Sequence, residues 1–65
     1  MGKLEHRGEV RVRRYSGYPE CDVVVSFRGR EMIIRLPDYR QAIKWAQMEA
    51  KTYKVPGELL EEQVS

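Results

Sequence analysis

The chain has 65 residues, of which 42% are hydrophobic and 34% charged, a composition that excludes a disordered tail. Twelve basic and ten acidic side chains give a net charge of +2, far from that of a histone-like tail. One cysteine excludes an internal disulfide, and no apolar run is long enough for a transmembrane helix. These features, with no signal-peptide pattern at the N-terminus, predict a small cytoplasmic domain.

Three strands are predicted in the first half of the chain. Residues 9–15 alternate between apolar and basic side chains, which is typical of a half-buried strand. After a turn cluster at 16–19, residues 21–27 are rich in β-branched side chains and predict a second strand. Gly29 favours a tight hairpin into a third strand over residues 31–36.

A helix is predicted after Pro37. Asp38 is a good N-cap and Gln41 stands three residues later, as in a capping box. Apolar residues then recur at helical spacing from Tyr39 for about 15 residues, until Pro56 stops the helix. Leu59 and Leu60 are compatible with one further helical turn.

The predicted fold class is α+β, a three-stranded antiparallel sheet in the order β-β-β-α with one helix packed across one face. Residues 1–8 are expected to be a flexible N-terminus, 9–54 a single domain, and 55–65 a short acidic C-terminal tail. Alternation places one set of strand residues under the helix: Val10, Val12, Val23, Val25, Phe27, Met32, Ile34 and Leu36. The opposite face is predicted to carry Arg11, Arg13, Asp22, Val24, Ser26, Ile33 and Arg35.

The open sheet face is the first candidate site. The arginines on it and at the hairpin tip suit bidentate contacts to phosphate and guanine, as in proteins that read DNA with a sheet. These residues are Arg11, Arg13, Arg28, Arg30 and Arg35. The alternative is an ordinary charged surface that discourages strand aggregation.

A basic stripe along the helix is the second candidate. Its members fall together on a helical projection with no acid between them: Arg40, Lys44, Gln47, Lys51 and Lys54. Such a stripe could follow a phosphate backbone, or it could be a solvated face of good helix formers.

Trp45 and Met48 form a third candidate, an apolar flank beside the core-facing side of the helix. One interpretation is that Leu59 and Leu60 fold back over Trp45. The other is that the flank is the interface of a dimer.

Catalytic chemistry is not indicated. His6 is the only histidine, and Cys21 has no second histidine to act as its base. No metal-ligand spacing, glycine-rich phosphate loop, cofactor motif or small-molecule substrate site is evident, so no enzyme is predicted. Cys21 is expected to be a small buried hydrophobic residue.

The element order over residues 9–54 is similar to that of plant AP2-type domains and integrase arm-binding domains. The resemblance is one of architecture, and it transfers no site residue. The leading hypothesis is therefore a small non-enzymatic binding module that contacts nucleic acid, namely DNA, through the sheet arginines. The alternative is a protein-interaction or homodimerisation module that uses the Trp45/Met48 flank or an exposed strand edge.

Overall fold

A computed structural model describes residues 8–55 and 59–65, which form four strands and one helix. The elements in chain order are β1 (Glu9–Tyr15), β2 (Cys21–Phe27), β3 (Arg30–Leu36), α1 (Tyr39–Tyr53) and β4 (Leu60–Val64). The strands form one sheet in the order β3-β2-β1-β4, with the helix on one face. The α+β class is as predicted, but a three-stranded, wholly antiparallel sheet is wrong.

The correction comes from β4, which pairs parallel to β1 so that Leu60 lies beside Arg11 and Val64 beside Tyr15. The segment expected to form a tail with one helical turn is therefore a strand. Its pairing satisfies backbone groups that β1 would otherwise leave open at the edge of the sheet. The Ser16 amide extends this pairing by donating to the Val64 carbonyl oxygen at 2.8 Å.

The antiparallel part of the sheet has an uninterrupted register. β1 pairs with β2 from Glu9–Ser26 to Arg14–Cys21, and β2 pairs with β3 from Cys21–Leu36 to Phe27–Arg30. The hairpin between β2 and β3 turns through Arg28 and Gly29, whose φ angles of 54° and 77° are both positive, as a two-residue type I′ turn requires.

The core lies between the sheet and α1, and the predicted assignment of faces is confirmed for its buried residues. Valines from β1 and β2 contact three small helix residues, which allow the helix to lie close to the sheet. The buried set is Val10, Val12, Cys21, Val23, Val25, Leu36, Ala42, Ala46 and Ala50. Small side chains dominate this core, so little apolar surface is available per residue to stabilise it.

The helix boundaries follow local signals. The Gln41 amide donates to the Asp38 carboxylate at 2.9 Å, which confirms the predicted N-cap. At the other end Lys54 adopts a left-handed conformation with φ 55°, and the Lys54 and Val55 amides donate back to Lys51 and Ala50. This end is a Schellman motif formed with lysine where glycine is usual.

Two predictions fall mainly or wholly outside the described residues. The flexible N-terminus concerns residues 1–7, with only Gly8 described, and the stop at Pro56 concerns residues 56–58. In the part of the chain that is described, α1 is the one helix, and it is too short and polar to cross a membrane.

Candidate functional sites

A row of charged side chains crosses the open face of the sheet. Strand pairing places Glu62, Arg13, Asp22 and Arg35 side by side on β4, β1, β2 and β3. Their charges therefore alternate from one edge of the sheet to the other. Opposite charges on paired strands stabilise a sheet, so this row has a structural role whatever else it does.

Asp22 is the buried member of the row, with 4% of its surface exposed. Arg35 donates to it from Nε at 2.8 Å and from Nη2 at 3.2 Å, and the Tyr15 hydroxyl donates at 2.6 Å. The hydrogen bonds from Arg35 are the main cause that lowers the pKa of the Asp22 carboxyl, and the bond from Tyr15 adds to it. Asp22 is therefore a satisfied buried carboxylate.

The other two sheet-face arginines also contact carboxylates. Arg11 pairs with Glu9 and, at 3.4 Å, with Glu62, while Arg13 Nε lies 3.1 Å from the same Glu62 oxygen. Arg13 followed by Arg11 lowers the pKa of Glu62. The fourth strand, which the sequence did not indicate, thus supplies a carboxylate shared by two candidate DNA-binding arginines.

These pairs change the charge of the open face. Along the four strands its charged members are three arginines and four acids, for a net charge of −1: Glu9, Arg11, Arg13, Asp22, Glu31, Arg35 and Glu62. A phosphate would have to compete with carboxylates already in place. The nucleic-acid interface at this face therefore stays a prediction.

The hairpin-tip arginines do not join this face. Arg30 pairs with Phe27, which is two residues along β2 from the buried Val25. Phe27 and Arg30 therefore lie on the helix side of the sheet. It is also five residues along β3 from Arg35, about 17 Å at the usual rise of a strand. Arg28 is exposed in the turn, with its guanidinium 5.5 Å from the centre of the Phe27 ring.

The basic stripe on α1 is exposed along its whole length. Its C-terminal part, Gln47, Lys51 and Lys54, lines a shallow groove whose apolar side includes Val55 and Leu59. This flank of the helix consequently faces the β4 side of the sheet. The helix places the stripe residues together as predicted, and their role in phosphate binding stays a prediction.

Trp45 lies on the other side of α1, toward β3, because Trp45 and Gln47 are about 160° apart on a helical projection. Met48 does not share this direction: it is about 160° from the buried Ala46, so it points away from the sheet. Trp45 is 37% exposed and Met48 52% exposed. Leu59, expected to cover Trp45, instead lines the groove beside the basic stripe, and Leu60 lies on the open face of the sheet. The intramolecular cover predicted for Trp45 is therefore wrong for both leucines.

The free edge of β3 adds two exposed apolar side chains on the same side of the molecule. Met32 is 41% exposed on the helix face, and Ile33 is 53% exposed on the open face. We call Met32, Ile33 and Trp45 the β3-side apolar surface. The sequence indicated the part of this surface that belongs to β3. Met32, Ile33 and Ile34 are consecutive apolar residues, so they place apolar side chains on both faces of this strand.

Chemistry-bearing side chains do not converge elsewhere in the described ranges. No group of three histidine, cysteine or acidic side chains there could hold a metal ion. Cys21 is 2% exposed, as predicted, and burial raises the pKa of its thiol. A cavity beside the end of β1 is lined by Tyr15, Tyr18 and Arg35, and Arg35 already donates to Asp22.

Comparison of the chain with protein-family models, with curated proteins and with solved structures finds no match. The surfaces of the chain itself therefore carry the functional inference.

Proposed function

We propose that the chain is a small non-enzymatic protein-interaction module that binds an extended segment of its partner along the free edge of β3. The observation that carries this proposal is the exposure of Met32 and Ile33, one on each face of an edge strand. Among the described residues, β3 has a neighbouring strand on one side only. A strand added at this edge would gain backbone hydrogen bonds and apolar contacts on both faces.

The β3 edge lacks most of the features that protect a sheet edge, although Arg30, Glu31 and Arg35 are charged. Natural edge strands are commonly short, bulged, or interrupted by proline or lysine. β3 instead runs for seven residues in continuous register with β2, and it contains no proline and no lysine. Glu31 and Arg35 keep it soluble, but they leave Met32, Ile33 and Ile34 between them as an apolar stretch.

The helix flank supports the same surface independently. Tryptophan and methionine are enriched at protein interfaces relative to the rest of a protein surface. Trp45 faces the β3 side and is not covered by the leucines expected to bury it. A partner strand at the β3 edge would lie beside this flank.

Chemical-shift mapping with two defined probes tests the proposal. The first probe is a peptide selected from a random library on the immobilised protein, and the second is a random-sequence DNA duplex at low salt. We expect the peptide to shift amides of β3 and the Trp45 side chain, and Ile33→Lys to abolish its binding. Leu60→Lys, which changes an equally exposed apolar residue on β4, should leave peptide binding intact.

Peptide shifts confined to the basic stripe or to the arginines of the open face would overturn the β3 site, as would a library that yields no binder when light scattering shows the immobilised protein to be a single chain. Saturable DNA binding that maps to Arg11, Arg13 and Arg35 and weakens steeply with salt would instead establish the nucleic-acid hypothesis.

A further inference from the structure

We infer that the strand received by the β3 edge is β3 of a second copy of this chain, aligned antiparallel about a two-fold axis at Ile33. This inference rests on the proposed function, since it names the partner of the same edge. The result would be a continuous eight-stranded sheet with β3 and its symmetry mate at the centre. The support comes from the charge pattern of β3 and from its contrast with β4.

Self-pairing at Ile33 brings complementary side chains together. Glu31 then lies opposite Arg35 of the second copy, Met32 opposite Ile34, and Ile33 opposite itself. Opposite charges and apolar pairs facing each other across paired strands are stabilising. The two-fold axis makes each of the first two pairs occur twice.

The neighbouring registers are poorer. A two-fold axis at Met32 sets Glu31 opposite Ile33, and an axis at Ile34 sets Ile33 opposite Arg35. Each separates Glu31 from Arg35 and sets one of them against an isoleucine. The axis at Ile33 keeps this ion pair, although it sets Arg30 opposite Leu36 at the ends of the strands. A register shifted by a single residue would set helix-face side chains of one copy beside open-face side chains of the other. The apolar faces of the two sheets would then not be continuous.

Arg35 retains the capacity for a second carboxylate. A guanidinium has five N–H donors, and Asp22 accepts from Nε and Nη2. The side chain of Arg35 is 65% exposed, so the rest of the guanidinium is open to a carboxylate on a neighbouring strand. Glu31 of the second copy would extend the alternating row of charges across the new seam.

The other edge of the sheet does not offer a comparable match. Antiparallel self-pairing of β4 about its central residue sets Glu62 opposite Glu62, and pairing about Glu61 sets Glu61 opposite Glu61. Like charges directly opposite each other are destabilising. In these two registers the β4 edge is therefore a poorer partner for itself than the β3 edge is.

The same geometry brings the two helices to one face of the extended sheet. Residues that pair across the seam have the same parity, so both copies present α1 on the same side. The β3-side flanks of the two helices then face each other over the seam. Trp45 and Met32 of each copy would line this shared groove, which accounts for their exposure in a single chain.

The mass in solution is the first test. Light scattering over a range of concentrations should approach twice the 7.7 kDa of one chain, and Ile33→Lys should reduce the mass to that of one chain at every concentration. Trp45→Ala should shift the transition to higher concentration. The matched control Leu60→Lys should leave the mass unchanged, because Leu60 is equally exposed but lies at the other end of the sheet order.

Disulfide trapping tests the register. Ile33→Cys places two thiols opposite each other across the two-fold axis, and mild oxidation should convert this variant to a covalent dimer. In Arg30→Cys the two thiols would lie about 20 Å apart along the strands, beyond the reach of a disulfide, so this control should remain reduced. The natural Cys21 is buried in every variant and should not cross-link.

The outcomes separate this inference from the proposed function. A single-chain mass at the highest concentration, with no preferential trapping of Ile33→Cys, overturns self-pairing. If a selected peptide still maps to β3, the edge remains a site for other proteins. A dimer that Arg30→Cys traps and Ile33→Cys does not would overturn the register.

Discussion

Asp22 is the clearest case of a residue whose role depends on three strands at once. Its carboxylate is buried, and its hydrogen-bond partners come from β1 and β3. A buried charge is tolerated when its partners satisfy it, and removing the charge leaves those donors without their acceptor. Asp22 therefore joins the strands on either side of it.

Asp22→Asn should lower the free energy of unfolding by about 1.5–3 kcal/mol at neutral pH, the usual range for hydrogen bonds to a charged group. Because the pKa of Asp22 is lowered in the folded chain, its contribution is complete above the ordinary value of 3.8 and is lost as the pH falls below it. Urea unfolding of both proteins across this range measures the difference. A difference that does not shrink in acid would contradict this account, and Glu20→Gln, an exposed neighbour, provides the control.

For single residues, the face of the sheet that a side chain occupies and its burial were largely predictable from the sequence. The residues that it contacts were not. The alternation in residues 9–15 placed Val10 and Val12 in the core and Arg11 and Arg13 on the open face. The sequence could not show that Glu62 lies beside Arg13, because that contact depends on a strand pairing between distant parts of the chain.

Among the elements, α1 illustrates how far local signals reach. Its N-cap at Asp38 and its apolar spacing predicted the helix from Tyr39 to Tyr53, because these interactions span only a few residues. β4 is the opposite case. Its sequence LEEQV has little strand propensity, and it becomes a strand because β1 offers an open edge with arginines that attract Glu62.

The C-terminal end of α1 contains a correctable strain. Lys54 has φ 55°, where a residue with a Cβ atom is disfavoured by roughly 1–2 kcal/mol. Lys54→Gly should therefore raise the free energy of unfolding by about 1 kcal/mol. Lys51→Gly, one turn earlier within the helix, should lower it by about the same amount. Thermal unfolding of the pair checks the sign, and a loss of stability in Lys54→Gly would contradict the left-handed cap.

For the whole molecule, the decisive feature is where the acids lie. Sequence charge suggested a basic first half and an acidic second half, with +3 over residues 1–36 and −1 over residues 37–65. The fold returns one of the C-terminal acids to the basic strands, because β4 places Glu62 beside Arg11 and Arg13. The charged residues of the open face consequently sum to −1, although those of β1, which are Glu9, Arg11 and Arg13, sum to +1.

Glu62→Gln should increase retention on heparin, since it releases Arg11 and Arg13 from their shared carboxylate and removes one negative charge from the open face. Glu49→Gln changes the net charge of the chain equally, but its site is on the helix. Elution from heparin in a salt gradient compares the two. Equal elution of both variants would indicate that Glu62 does not restrain these arginines.

The pairing of β4 with β1 also sets an order on folding. The β1–β2–β3 meander joins neighbours in sequence through short turns, whereas residue 60 must find residue 11 across almost the whole chain. Contacts between distant segments form slowly because a long loop must close first. Until β4 pairs, the meander is open along both β1 and β3. Pairing of β4 closes one of these edges, so slow pairing of β4 would prolong the interval in which β1 can pair with another chain.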